Sequence, residues 1–401
     1  MKPVNKKTLS IWNAFLTELK SVFRDKAVFS TFVSTALVVM LVYTYVYSKQ
    51  VVREVPVAVI DLDQSRSSRD YLQMLAATEE VTLKKDFLGL NQAKAAFFKG
   101  DVKGVVLIPE NFSSDIRRGR LVNISVYADA SYMLYYRQIM GAVNVVNGYY
   151  NAGIDVKKLM SAGNTAKQAQ AIHSPVTASS ISVYNPVSGY GSYIIPMVTA
   201  LVTQLVVLMA IGILGGTRRE NKELHFLFAV VLTPGGTIPV LLGKGLVYIS
   251  LYFFILLLQT GIIYPLFGIP FRGAFWGMLL FMLPYILAVV FLGIALTGLF
   301  RRREDAIMVL IVTTMPFMML SGLSYPIESF PVFYQYLAKI LPSSWGIKGF
   351  VKITQMGVTI RDVMEEWIAL WVLASVYFMA AAFFLKQTAQ KSLKDSLVEK
   401  A

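Results

Sequence analysis

Six stretches of this 401-residue chain are apolar and nearly charge-free, and each is close to or beyond the length of a bilayer-crossing helix. Such a helix takes roughly 20 predominantly apolar residues. In hydrocarbon every backbone N–H and C=O must be bonded within the protein, so only helices and closed barrels span it. Continuous apolar runs without a two-residue alternation select helices. The stretches cover residues 27–47, 190–217, 238–267, 273–300, 306–323 and 363–385, the last charge-free from Trp367, and the third holds Lys244 near one end. They explain a charged fraction of only 15%, against about 25% in soluble domains. The expected fold class is membrane all-α with six transmembrane helices and an inserted α/β extracytoplasmic domain. The first run is long for a signal peptide and no small-residue cleavage site follows it, so it reads as an uncleaved anchor.

The insert is residues 48–187, where charges return and short segments alternate in character. VPVAVIDLD at 55–63 reads as a buried strand. SRSSRDYLQMLAA reads as a helix capped by Ser65 or Ser67. EEVTLKKDF is a second strand, and NQAKAAFFKG a short helix closed by Gly100. VKGVVLIP is a third strand, NFSSDIRRG a helical turn capped by Asn111, and VNISVYAD a fourth strand. Residues 132–170 read mostly as helix and 171–187 as an extended return. This alternation predicts an α/β domain with a small mixed sheet.

Net charge is +14, but the cations flank the apolar runs. That is the cytoplasmic charge bias of membrane proteins. It names a lipid bilayer as the partner and gives no support to nucleic acid. Residues 1–26, the 218–237 loop with Arg218, Arg219 and Lys222, the Arg301–Arg303 run and the tail 386–401 with Lys386, Lys391 and Lys394 all fall inside. Both termini are then cytoplasmic, with 48–187 and 324–362 outside. In the N-terminal segment Ile11, Trp12, Phe15, Leu19, Val22 and Phe23 recur at helical spacing among Lys6, Lys7, Lys20, Arg24 and Lys26. This predicts an amphipathic helix on the inner membrane surface.

Catalytic chemistry has little to stand on. His173 and His225 fall in different compartments, and with no cysteine there is no thiol site. Asp61 and Asp63 follow a strand, where carboxylates cap and solvate; as a cation site the pair is a weak signal. LLGKGL at 241–246 fails as a phosphate loop, because Ile238 stands where the first glycine belongs and Gly245 follows Lys244. No nucleotide site is expected on this chain, so if ATP drives it, another chain must bind the ATP and Mg. Secondary transporters place ionisable groups at the bilayer midplane. Here Gln204 and Gln259 are the main polar side chains at depth, expected as interhelical contacts or substrate-path groups. The stretch GGTRRENKELHFLFAVVLTPGG at 215–236 combines Arg218, Arg219, Glu220, Lys222 and Glu223 with Leu224, Leu227, Phe228 and Val231 on one helical face. It predicts a short helix along the cytoplasmic surface.

These residues resemble the permease subunits of type-2 ABC exporters with a large extracytoplasmic domain between the first two spans. The order of parts carries the resemblance, one span, the domain, then five spans. So does TRRENKELHFLFAVVLTPGGTIPVLLGKGL, with Thr233-Pro234 and then Gly243-Lys244 heading the third span. LSGLSYPIESFPVFYQYLAKILPSSWGIKGF at 320–350 is similar to the family's segment after the fifth span, with Gly322, Pro326, Pro331 and Pro342. VPVAVIDLDQSRSSR and VKGVVLIPENFSSDIRRG resemble the subgroup's outer domain. One departure is Asn221-Lys222 before Glu223-Leu224, where the family often has Gly-Thr.

The resemblance implies a permease homodimer, or a heterodimer with a paralogue, in a bacterial inner membrane. It implies cytoplasmic ABC ATPase subunits gripping a coupling helix at 218–232, and re-entrant helices at 324–362. It further suggests a periplasmic membrane-fusion adaptor with an outer-membrane channel, and export of a lipophilic or amphipathic, drug-like or lipid-like substrate. A non-transporting receptor or scaffold, a secondary transporter and a membrane enzyme are the competing classes. The receptor predicts no partner ATPase, the secondary transporter needs midplane charge, and the enzyme needs an acid, base or metal cluster.

Overall fold

The computed structural model describes residues 11–176, 182–186, 188–220, 230–298, 300 and 302–398. It falls into two compact units, Val51–Ile181 and the remainder, Met1–Gln50 with Ser182–Ala401. The second of these begins with α1 (Ile11–Arg24) and α2 (Lys26–Val46), the latter π-helical over Ser30–Thr35. Asp25 separates them. Its extended backbone ends α1, and its Oδ1 accepts from the N–H groups of Ala27 and Val28 at 3.0 and 3.2 Å. Two of the unpaired donors that every helix start leaves are so satisfied.

Val51–Ile181 holds a four-stranded sheet of β1 (Val55–Asp61), β2 (Val81–Lys84), β3 (Gly104–Ile108) and β4 (Ser125–Ala128), in the order β2-β1-β3-β4. β1 pairs in parallel with β2 and β3, while β4 runs antiparallel to β3. Parallel neighbours need crossovers, supplied by α3 (Arg66–Ala76) and α4 (Leu90–Lys99). β1 is central and apolar on both faces. Val55, Val57 and Val59 pack with Tyr71, Leu72 and Leu75 of α3, and Ala58 and Ile60 with Ala93 and Ala96 of α4. Strands covered on both faces read as near-continuous apolar runs.

Of the two candidate serines, Ser65 caps α3, accepting from Ser68 N at 3.1 Å. Gly100 closes α4 at φ +83, in the left-handed region that favours glycine. Asn111 is a correction. It precedes α5 (Phe112–Arg117), but its side chain makes no cap hydrogen bond, and its backbone carbonyl takes Asp115 N instead. The expected long helix is two, α6 (Met133–Ser161) and α7 (Ala166–His173). Gly163 at φ +94 breaks the first, and a Thr165–Gln168 capping box starts the second. The extended return therefore begins later than 171, since α7 runs through His173.

The remaining unit continues with α8 (Tyr190–Glu220), α9 (Thr237–Leu266, π-helical over Gln259–Ile263), α10 (Phe275–Thr297) and α11 (Arg303–Leu320). It ends with α12 (Val332–Ile340), α13 (Pro342–Val351) and α14 (Met364–Val398). Among the described residues, five helices are long and apolar enough to cross a membrane: α2, α8, α9, α10 and Ile360–Lys391, which takes in most of α14. α11 opens on three charges, Arg303, Glu304 and Asp305, and its apolar part is residues 306–320. At 1.5 Å per residue that part is about 22 Å long, short of the ~30 Å hydrocarbon core. α8 and α10 form the middle of the unit, and most of their membrane-length stretch is buried, against under a third for α2 and α14. Its core includes Val207, Tyr248, Tyr252, Met282, Tyr285 and Val289.

Candidate functional site

The amphipathic pattern of α1 contains a charge on its apolar side. Ile11, Phe15, Glu18 and Val22 are spaced 4, 3 and 4 apart, one stripe of a helix. That stripe lies against α9, where Gly243 permits a close crossing. A Cβ there would stand 2.5 Å from Ala14 Cβ and 2.8 Å from the Ile11 carbonyl. The approach carries Glu18 into the interior, 2% exposed.

An isolated carboxylate cannot be buried cheaply, and Glu18 is not isolated. Its Oε2 accepts from Arg218 Nη2 at 2.6 Å and lies 3.1 Å from Lys244 Nζ. Its Oε1 accepts from the Tyr248 hydroxyl at 3.2 Å. Burial pushes the Glu18 carboxyl up; the Arg218 guanidinium and then the Lys244 ammonium outweigh it and hold the group at about 2. One ionised carboxylate thus joins α1, the last turn of α8 and the second turn of α9. Next to it, Arg219 donates to the carbonyls of Phe300 and Gly298 and to Thr388 Oγ1, tying the end of α8 to the α10–α11 connection and to α14.

These contacts bracket the loop between α8 and α9. Arg218 and Arg219 hold its entrance, and Glu220 is exposed. Val230 and Val231 anchor its exit against Val240 and Ala389. Lys222, Glu223, Leu224, Leu227 and Phe228, and the expected surface helix around them, lie outside the described residues. The cavity beside the ion cluster is about 50 Å³, far below the roughly 300 Å³ at which small-molecule sites begin. The cluster is a joint between helices and has no room for cargo.

Gln204 and Gln259 are both fully buried. Gln204 Oε1 accepts from Ser343 N at 2.9 Å, linking α8 to the start of α13, and Gln259 Nε2 donates to the Ala36 carbonyl of α2 at 3.2 Å. Around them Thr203 meets Tyr252, Thr199 meets Tyr264 at 2.7 Å, and Tyr285 donates to the Ala200 carbonyl. Gly322, at φ +81, ends the turn after α11. Pro326 precedes the short helix Ile327–Ser329, Pro331 caps α12, and Pro342 occupies the first turn of α13, where its missing N–H costs nothing. The Asp61 and Asp63 oxygens are taken by Asp63 N, Gln64 N and the Ser68 hydroxyl, and by Ser113 N. Among the described residues no group of three or more His, Cys, Asp or Glu could hold a metal.

Glu18 is the residue that reading the sequence passed over. Its signal was an acid on the apolar stripe of an otherwise basic helix, in a chain whose third span carries a single cation.

A family model described as "ABC-2 family transporter protein" matches residues 26–383. "Inner membrane transport permease YhhJ" of Escherichia coli strain K12 is 24% identical, over 94% of this chain and 97% of its own. "Linearmycin resistance permease protein LnrN" of Bacillus subtilis strain 168 is 22% identical, over 82% and 86%. "Probable multidrug ABC transporter permease YbhR" of Escherichia coli strain K12 is 28% identical over 47% of this chain and 50% of its own.

Proposed function

This chain belongs to the ABC-2 family of transporter proteins, and from that we propose that it is the permease subunit of an ATP-driven exporter of lipophilic or amphipathic molecules. A separate cytoplasmic ATPase, carrying ATP and Mg, drives it through the loop that α8 and α9 enclose. The observation that carries the reading is the Glu18–Arg218–Lys244 cluster. It makes α1 and both helices flanking that loop one mechanical body, so a push on the loop is delivered to the spans rather than absorbed locally. Two relatives supply the cargo class in their own names, a multidrug permease and a linearmycin resistance permease.

In this reading the membrane is a bacterial inner membrane and both termini are cytoplasmic. α11 is the sixth span, its charged first turn at the inner surface, and Val51–Ile181 lies outside. Permeases pair as homodimers or with a paralogue. An exposed apolar stripe on α11, Met308, Ile311, Met315 and Met319, supports such pairing. Gly322 to Pro342 form the re-entrant outer segment, and an adaptor with an outer-membrane channel would continue the route. Arg219→Ala and Glu220→Ala are the test, read as substrate-stimulated ATP hydrolysis by the assembled complex. Arg219→Ala should cut stimulation about tenfold with assembly retained. Full stimulation in both variants would remove the docking role from this loop.

A further inference from the structure

The Val51–Ile181 unit contains a cleft of about 400 Å³ that the transport reading does not use. One wall is a stripe of α6, in which Asn147, Tyr150, Asn151, Ile154 and Lys158 follow at spacings of 3, 1, 3 and 4. That is one face of a helix, beside the face whose Ile139, Val143 and Val146 build the core. The other wall is the segment 119–124 leading into β4, entered through Gly119 at φ +68.

Its floor is aromatic. Tyr71 lies edge-on to Phe112 and Tyr150, with ring centroids 6.1 and 5.4 Å away, and Phe112 is 5.9 Å from Tyr150. The two hydroxyls are committed, Tyr71 to Asn147 Oδ1 at 2.7 Å and Tyr150 to the Ser67 carbonyl at 3.1 Å. Tyr71 and Phe112 are buried, 1% and 2% exposed, and brace the half-buried Tyr150, which is the ring the cleft presents. The Asn147 amide keeps its N–H donors, and Asn123 and Asn151 add two more amides to the lining. The charges at the lip are of one sign. Arg120 and Lys158 line the cleft and no carboxylate does. Asp115 pairs with Arg120 from outside at 3.7 Å, a loose and exposed contact of the kind worth little.

We propose that this cleft binds a small amphiphilic anion, a flat apolar or aromatic body with one carboxylate, sulfonate or phosphate. The body packs on Tyr150 and Ile154, the amides orient it, and Arg120 and Lys158 pair its charge. The volume lies within the roughly 300–1,000 Å³ of small-molecule sites, and the composition of apolar body, few convergent polar groups and two cations matches such a molecule. The inference stands whichever side of the membrane this unit occupies.

Isothermal titration of the full chain in phosphatidylcholine nanodiscs tests it, with 2-naphthoate as probe and 2-naphthylmethanol as its uncharged counterpart. The wild type should bind naphthoate saturably at one site per chain, and the alcohol at least tenfold more weakly. Arg120→Ala with Lys158→Ala should raise the naphthoate Kd at least tenfold and leave the alcohol unchanged. Asn151→Trp, which fills the cleft from an exposed position, should abolish both. Wild-type heats no greater than those of empty nanodiscs would overturn the proposal. So would an Asn151→Trp variant that binds naphthoate like the wild type.

Discussion

At Glu18 a single proton decides whether three helices are joined. Its carboxyl, ordinarily near 4.5, is held at about 2 by Arg218 and Lys244 against the upward push of burial. A carboxyl depressed on folding stabilises the fold above its unfolded value, and that stabilisation is lost as pH falls toward the folded one. The gap is worth on the order of 3 kcal/mol, fully present above about pH 4.5 and absent below about pH 2. Glu18→Gln leaves two cations facing a neutral amide, and breaking a buried pair in this way costs about 3–5 kcal/mol. Thermal unfolding of the detergent-solubilised chain should therefore show a constant deficit for Glu18→Gln between pH 5 and 7, shrinking below pH 4.5. A deficit that stayed constant to pH 3 would mean the carboxylate charge contributes nothing. Adding Lys244→Met to Glu18→Gln keeps the net charge of the cluster and should recover part of the loss. A purely steric role for Glu18 predicts no such recovery.

The crossing of α1 and α9 depends on the absence of a side chain at Gly243, and the α8–α11 crossing likewise on Gly216, where a Cβ would lie 2.6 Å from the Arg303 backbone. Gly243→Val should force α1 away and open the ion cluster to water. Coupled ATP hydrolysis would fall at least tenfold, while the Val51–Ile181 unit keeps its ligand heats. Equal coupling in Gly243→Val would show that α1 need not touch α9. The stripe on α11 allows a second test, because the chain has no native cysteine. Met315→Cys, 63% exposed, should cross-link to a dimer under oxidation in membranes, and Leu310→Cys, 5% exposed, should not. If both behave alike, α11 does not form the pairing face. The elements legible from residues alone were those whose cause is local. β1 is apolar on both faces, a serine at 65 or 67 caps α3, and Gly100 takes a left-handed turn. Asn111 looked like a cap by type, but capping requires a side-chain geometry that type does not fix. What sequence spacing could not supply was partnership. Glu18 meets Arg218 200 positions away and Gln204 meets Ser343 139 away, pairings that exist only once helices pack.

Over the whole molecule, charge sits where it can act on helix ends and is missing where an ion would have to cross. Within the long apolar helices the charged residues are Lys26 at the start of α2, Arg218, Arg219 and Glu220 at the end of α8, Lys244 early in α9, and those at the two ends of the Ile360–Lys391 helix. A second buried glutamate, Glu366, is held by Lys352 at 2.7 Å and Lys348 at 3.3 Å. It repeats the arrangement of one acid with two cations, here between α13, the turn after it and α14. Both clusters join helices, and neither leaves a carboxylate free to take up and release a proton or sodium ion in the middle of a span. A gradient-driven carrier needs such a group at the midplane. In the proposed reading the energy enters instead as mechanical work on the α8–α9 loop. Vesicles containing this chain alone, under an imposed proton or sodium gradient, should move a lipophilic dye no faster than empty vesicles. Adding the cognate ATPase with ATP and Mg should start transport, and Glu18→Gln should uncouple hydrolysis from it. Gradient-driven movement by the chain alone would place the energy source inside the spans, and the ion clusters would then have only structural work to do.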